Sequence, residues 1–359
     1  MNQAPKGRGA GSNPDGRFEP TRRAAVHDEV GDGVVAGDAA AGPLPPLATQ
    51  VLVDSARSII SRNDSPDVPF AQSINPYRGC EHGCVYCYAR PTHSYLGLSP
   101  GLDFETKLFY KPAAASLLAA ELARPGYRCE PISLGANTDP YQPIERKLEV
   151  TRSILEVLQR ARHPVGIVTK GTLIERDLDI LGAMARESLV HVFVSITTLD
   201  PALKRSLEPR AASPAARLAT VRALRAAGVP TGVLFAPVIP ALNDHELERV
   251  LEAAAEAGAQ AAGWVLLRLP HEVEGLFREW LERHAPLKAS HVLSLLQQSR
   301  GGRSNDPRFH HRMRGEGAFA ELIARRFRLA SAKLGLDRML PAYDTTRFRA
   351  PNDQLAFDL

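Results

Sequence analysis

Six short apolar runs, separated by stretches with helical spacing, limit the folds open to this chain more than any other feature. The runs are residues 70–76 (FAQSINP), 131–136 (PISLGA), 165–170 (VGIVTK), 189–197 (LVHVFVSIT), 230–239 (PTGVLFAPVI) and 262–269 (AGWVLLRL). Helical patterns fill the gaps at 113–123, 151–162, 173–186, 213–228 and 244–258; in 151–162, Ile154, Leu155 and Leu158 fall on one face. Near-continuous apolar strands need helices outside them, so this alternation, with Gly or Pro at most junctions, specifies parallel β/α units. Such units form a full or partial barrel, or an open doubly wound sheet, and periodicity alone does not choose. In each case reactive groups gather at the C-terminal ends of the strands.

The flanks differ from this core. Residues 1–45 are rich in Gly, Ala, Pro and charge, without apolar periodicity, and are expected to be a disordered leader. Order is expected from LATQVLVDSARSII (47–60), with the core spanning 46–285. Residues 286–359 read as a helical basic extension, with twelve Lys or Arg against five Asp or Glu in 300–349. A solvated surface is the plain reading of that bias, and a face for nucleic acid is the functional one. No run of about 18 apolar residues is present, so no membrane span is expected. The N-terminus lacks the apolar stretch of a secretory signal. Four cysteines in 359 residues make a disulfide framework improbable, and a cytoplasmic location is expected.

Three of those cysteines, Cys80, Cys84 and Cys87, lie within eight residues, on the loop after the first strand. In a curled loop three thiolates at such spacing can converge on one metal centre. A structural zinc site wants four ligands; His82 is cramped within the loop, and Cys129 stands without a partner at pair spacing. An iron–sulfur cluster with one iron free of protein ligands fits better. A zinc- or cluster-binding protein that acts only as an interaction module remains the alternative from another functional class.

CEHGCVYC (80–87) resembles CxxxCxΦC, the cluster motif of radical S-adenosylmethionine (SAM) enzymes, with Tyr86 as the aromatic Φ. The resemblance implies an α/β fold, a partial (β/α)6 TIM-type barrel. It implies a 4Fe–4S cluster on Cys80, Cys84 and Cys87, SAM on the fourth iron, and a reductant such as flavodoxin or ferredoxin. YCYAR, VTK, FVSIT, SLEPR…ARL and FAPVI, in that order over roughly residues 70–270, are similar to the branch containing spore photoproduct lyase and DNA-repair-photolyase-like proteins. INPYRGCEHGCVYCYARPTHSYLGL and TDPYQPIE are closer still to a bacterial subgroup of that branch. Nucleic acid is accordingly a candidate substrate, and a lyase the nearest reaction class.

Carried over residue by residue, the resemblance assigns Tyr86 backbone and Ala236 backbone to the adenine, and the Thr138 hydroxyl to SAM. It assigns Lys170 to the SAM carboxylate and Ser195 to the ribose or methionine part. Without it, Lys170 would read as a solvated lysine and Ser195 as a turn hydroxyl. Tyr88 is a candidate hydrogen relay, although core packing is the commoner use of such a ring. Glu208 and Arg210 of EPR read as an ion pair shaping the site or clamping its loop. One departure limits the resemblance: Ala136 or Asn137 stands where the lyase carries a hydrogen-donating cysteine, and Cys129 lies about seven residues earlier. The radical-generating half is implied, and the particular lyase reaction is not.

Overall fold

A computed structural model describes residues 5–18 and 47–351. Ten strands are present among these residues: β1 Gln50–Val53, β2 Ile60–Arg62, β3 Gln72–Ile74, β4 Tyr77–Arg78, β5 Lys107–Tyr110, β6 Ile132–Leu134, β7 Val165–Thr169, β8 Val190–Ser195, β9 Thr231–Val238 and β10 Ala261–Leu266. Seven of them form a sheet in the order β10-β9-β8-β7-β6-β3-β2. Six of the seven, β3 and β6 to β10, run parallel to one another; β2 pairs antiparallel with β3 at one edge. These six match the six apolar runs, and the helices between them lie where the spacing predicts. The coarse α/β architecture therefore follows from the sequence pattern.

Helix Val150–Arg160 shows why. Ile154, Leu155 and Leu158 are fully buried along one stripe, each contributing about 1.5–3 kcal/mol by its removal from water. They join the main core with Val165, Ile167, Val192, Val194 and Val233 from the strands. The basic C-terminal region packs onto the same body: Ile323 and Leu336 enter that core, and Arg326 pairs with Glu248 at 2.6 Å.

Two features go beyond the sequence reading. A small second sheet, β1-β5-β4, precedes and follows the cysteine loop. The other feature is at the sheet edges. Met313 O accepts a hydrogen bond from Leu266 N of β10 at 2.9 Å, and neighbouring Arg312 pairs with Asp67 at 2.5 Å. Asp67 lies between β2 and β3, so this bridge joins the two edges of the sheet.

The expected leader departs from expectation in part. Residues 5–18 are packed, with Arg8 and Ala10 buried; the rest of the expected leader, residues 1–4 and 19–45, lies outside the described residues, as do 352–359. Among the described residues no helix is long and apolar enough to cross a membrane.

Candidate active site

The cysteine loop begins one residue after β4 and is held curled by its own backbone. Cys80 N donates to Phe104 O at 2.9 Å, Gly83 N to Cys80 O at 3.4 Å, and Cys87 N to Cys84 O at 3.2 Å. Gly83 has a φ of 67°, which favours glycine, and an added Cβ would lie 2.8 Å from a Glu105 carboxylate oxygen. The loop is tied to its surroundings at several points. Glu81 N donates to Gln142 Oε1 and Gln142 Nε2 to Gly79 O, while His82 Nδ1 lies 3.3 Å from Asp139. Arg210 pairs with Glu81 at 3.1 Å and donates its N–H to His82 O.

All three thiols are free, with Cys80 and Cys84 buried and Cys87 partly so. Burial pushes each of them up, Cys84 to about 12. Asp139, Cys84 and Cys87 add to the rise at Cys80, and Glu208 and Cys87 to that at Cys84. Three soft sulfur donors near one another, each disfavoured as a bare thiolate, suit a polynuclear cation that supplies the missing positive charge. Among the described residues no three His, Cys, Asp or Glu side chains converge to hold a single metal ion.

Strand register brings the predicted strand-end residues together. Thr169 of β7 lies opposite Val194 of β8, and Ser195 opposite Leu234 of β9, so Lys170, Ser195 and Ala236 lie on neighbouring strand ends. Lys170 Nζ donates to Ser195 Oγ at 2.8 Å, and Ser195 Oγ donates to Ala236 O at 3.2 Å. Thr197 Oγ1 reaches Ala236 O at 2.9 Å and Glu208 at 2.6 Å. The Tyr86 hydroxyl donates to Glu208, whose other oxygen pairs with Arg217. Arg217 also donates to Ser195 O at 2.9 Å. Burial alone would raise the Glu208 carboxyl, but Arg217 and Lys170 hold it at about 2. Four predicted residues, Tyr86, Lys170, Ser195 and Ala236, thus share one hydrogen-bonded network beside Cys84.

Thr138 lies outside that network; its hydroxyl donates to Tyr77 O at 2.9 Å. Asp139, its neighbour, accepts from Thr169 Oγ1 at 2.6 Å and Lys170 N at 2.7 Å, fixing the end of β7 against the cysteine loop. The EPR expectation needs correcting in its pairing: Glu208 pairs with Arg217 and Arg210 with Glu81, because the two EPR side chains face different neighbours. Tyr88 also differs from a core ring. It is 46% exposed, its hydroxyl donates to Ala136 O, and the Arg268 guanidinium lies 5.5 Å from its ring. Cys129 precedes β6 at the N-terminal end of that strand, away from the other three cysteines.

Sequence reasoning missed Arg90, Glu105, Arg217, Asp139, Gln142 and Arg268 as parts of this site. Arg90, Asp139, Gln142 and Arg217 fall inside stretches quoted for the family resemblance, so a signal existed for them. Glu105 had none, and Arg268 only its place at the end of the sixth apolar run.

A profile described as the Radical SAM superfamily matches residues 74–254. An uncharacterised protein of Mycobacterium tuberculosis, Rv2578c, is 41% identical over 233 residues, covering 64% of this chain and 68% of that protein. An uncharacterised protein of Methanocaldococcus jannaschii, MJ0683, is 28% identical over 173 residues, covering 48% of this chain and 62% of its own length. Among solved structures, spore photoproduct lyase complexed with dinucleoside spore photoproduct superposes with a TM-score of 0.58 at 15% identity, covering 79% of each chain. At that identity the likeness is one of fold.

Proposed function

The chain belongs to the radical SAM superfamily, and on that premise we propose that Cys80, Cys84 and Cys87 hold a 4Fe–4S cluster with SAM on its fourth iron, acting on an unidentified substrate. With an electron from a flavodoxin- or ferredoxin-type donor, that cofactor pair supplies reductive cleavage of SAM and a 5′-deoxyadenosyl radical able to take hydrogen from an unactivated C–H bond. The chain's own residues bind, orient and exclude water. Burial of Cys80 and Cys84 keeps solvent from the loop. The Lys170 ammonium supplies a fixed positive charge for the SAM carboxylate, and the Ser195 hydroxyl orients that ammonium. The Tyr86 and Ala236 backbones flank the adenine, while Thr138 braces the β6 end through Tyr77 O. Six parallel strands with helices between them support a partial (β/α)6 barrel as the scaffold.

The carrying observation is the hydrogen-bonded network of Lys170, Ser195, Thr197, Glu208 and Tyr86 beside three clustered thiols. Anaerobic reconstitution with iron and sulfide, followed by dithionite and SAM, is expected to give 5′-deoxyadenosine. The triple Cys→Ala variant is expected to lose both cluster and product. A loaded cluster that yields no product overturns the reading. Brown protein would exclude a purely zinc-binding interaction module, and colourless protein with stoichiometric zinc would support it.

A nucleic-acid substrate has its own supporting observation. Arg268, just beyond β10, lies over Tyr88, and Arg314 lies over Trp264 at 4.5 Å; among the described residues neither has a carboxylate at ion-pair distance. A cation left unpaired beside the strand-end site, as Arg268 is, suits a phosphate-bearing ligand. Binding of DNA or RNA oligonucleotides that weakens steeply with salt is the expected result, and salt-independent or absent binding removes this substrate class.

A further inference from the structure

The segment GRGAGSNPDGR, residues 7–17, comes from a region whose composition predicts no structure, yet it is built into the wall of the cysteine loop. The centre of the joint is Glu105, fully buried. Its two carboxylate oxygens accept from Gly9 N at 2.9 Å and Ala10 N at 2.8 Å, and one of them also accepts from Arg90 Nη2 at 2.5 Å. Arg90, also fully buried, donates in turn to Cys84 O at 2.9 Å. One carboxylate therefore ties the N-terminal segment to the carbonyl of a loop cysteine. Phe104, the residue before Glu105, accepts from Cys80 N, so a second cysteine hangs from the same short stretch.

The contact is close as well as polar. A Cβ at Gly9 would lie 1.7 Å from Gly83 O, between Cys80 and Cys84 in sequence, so only glycine lets the two backbones approach. Ala10 packs in the same apolar group as Cys84, Val85 and Tyr86. Farther along, Ser12 O accepts from Leu102 N at 3.2 Å, the Ser12 hydroxyl reaches Glu279 at 2.8 Å, and Asn13 and Asp103 exchange two hydrogen bonds.

We propose that residues 5–18 form a strap that seats on the cysteine loop when the cluster is in place and retains the cluster there. Glu105 and Arg90 are its positioning residues. The proposal rests on reading the loop as the cluster site. Two physical arguments carry it. The strap is one wall of the loop, with Gly9 against Gly83 and Ala10 beside Cys84, so its docking shields the segment that carries the thiols. The loop conformation that Gly9, Glu105 and Arg90 fix is the one that presents the thiols, so strap docking and cluster binding favour the same state. By linkage each must then strengthen the other.

The test uses the full chain, apo and reconstituted. Amide exchange across residues 5–18, read at Gly9 and Ala10, is expected to be about tenfold or more slower with the cluster loaded, the coupling being that of an outer-shell partner. In the Gly9→Val variant, chelator-driven loss of the cluster's visible absorbance is expected to be about tenfold or more faster, in protein that keeps wild-type helical content by circular dichroism. A Ser12→Ala, Asn13→Ala double variant loosens the strap away from the loop, so the measurement survives if Gly9→Val folds poorly. Equal exchange in apo and loaded protein, or wild-type cluster loss in the folded variants, overturns the strap. A wild-type chain that takes up no cluster at all overturns the cluster reading, and the strap with it.

Discussion

Lys170 carries its ammonium past the end of β7 to the Ser195 hydroxyl, with Glu208 and the thiols of Cys84 and Cys87 within its field. A charge-assisted hydrogen bond of this kind contributes about 1.5–3 kcal/mol, so Lys170→Met is expected to weaken SAM binding about tenfold or more while iron and sulfide content stay at the wild-type level. Equilibrium binding of SAM to the loaded variant checks it; affinity within twofold of wild type would remove Lys170 from the carboxylate's partners. Lys170 and Ser195 are marked in the sequence by the family resemblance and by their place near successive strand ends, which register then aligns. Arg217 lies in a stretch that carries the family resemblance, but nothing local marks its partner, and Glu105 has no signal at all. Arg217 arrives from helix Pro214–Ala226, where one arginine among several on the helix has no feature marking it for Glu208. Glu105 meets Gly9 across 96 residues, a contact that no local pattern records.

Between elements, the segment after Leu336 closes the N-terminal ends of the strands. Tyr343 stacks on His191 at 4.0 Å between centroids, Phe348 packs on His163 and Tyr127, and Arg349 N donates to Ala161 O at 2.9 Å. Little in the sequence hints at this, because a segment held by rings and single backbone bonds has neither the 3.6 nor the 2.0 period. The two- to four-residue strands of the small sheet were hidden for the same reason. Burial lowers both imidazoles from 6.5 to about 4. The unfolded chain binds protons at these rings below about pH 6.5, whereas the folded chain does so only near pH 4. Stability is therefore complete above 6.5 and falls as pH drops toward 4, by up to about 3 kcal/mol per ring. His191→Phe keeps the stack on Tyr343, removes the proton site, and eliminates a buried nitrogen that has no hydrogen-bond partner. Urea unfolding between about pH 7 and 4.5 is expected to show a shallower loss of stability in this variant than in wild type. Parallel curves would mean that His191 titrates normally in the fold.

Over the whole molecule, the sheet has two edges, β2 and β10, and the Asp67–Arg312 pair connects them. Arg312 also donates to the Ser65 hydroxyl, and His310 N donates to Asp67 at 2.6 Å, so the joint is a cluster of bonds and not one surface pair. Asp67→Asn leaves the arginine without its counter-charge. Amide exchange is expected to quicken in β2 and β10 while the centre of the sheet, β7 and β8, is unaffected; unchanged protection at β10 would mean the edges hold without the joint. The pairing spans 245 residues of chain. At a synthesis rate of about 5–20 residues per second, Asp67 waits roughly 12–50 s for its arginine to be made. For that interval every nascent copy has its cysteine loop translated and its sheet edges unjoined. This joint can be completed only near the end of translation, so the sheet edges are among the last parts of the architecture to be tied.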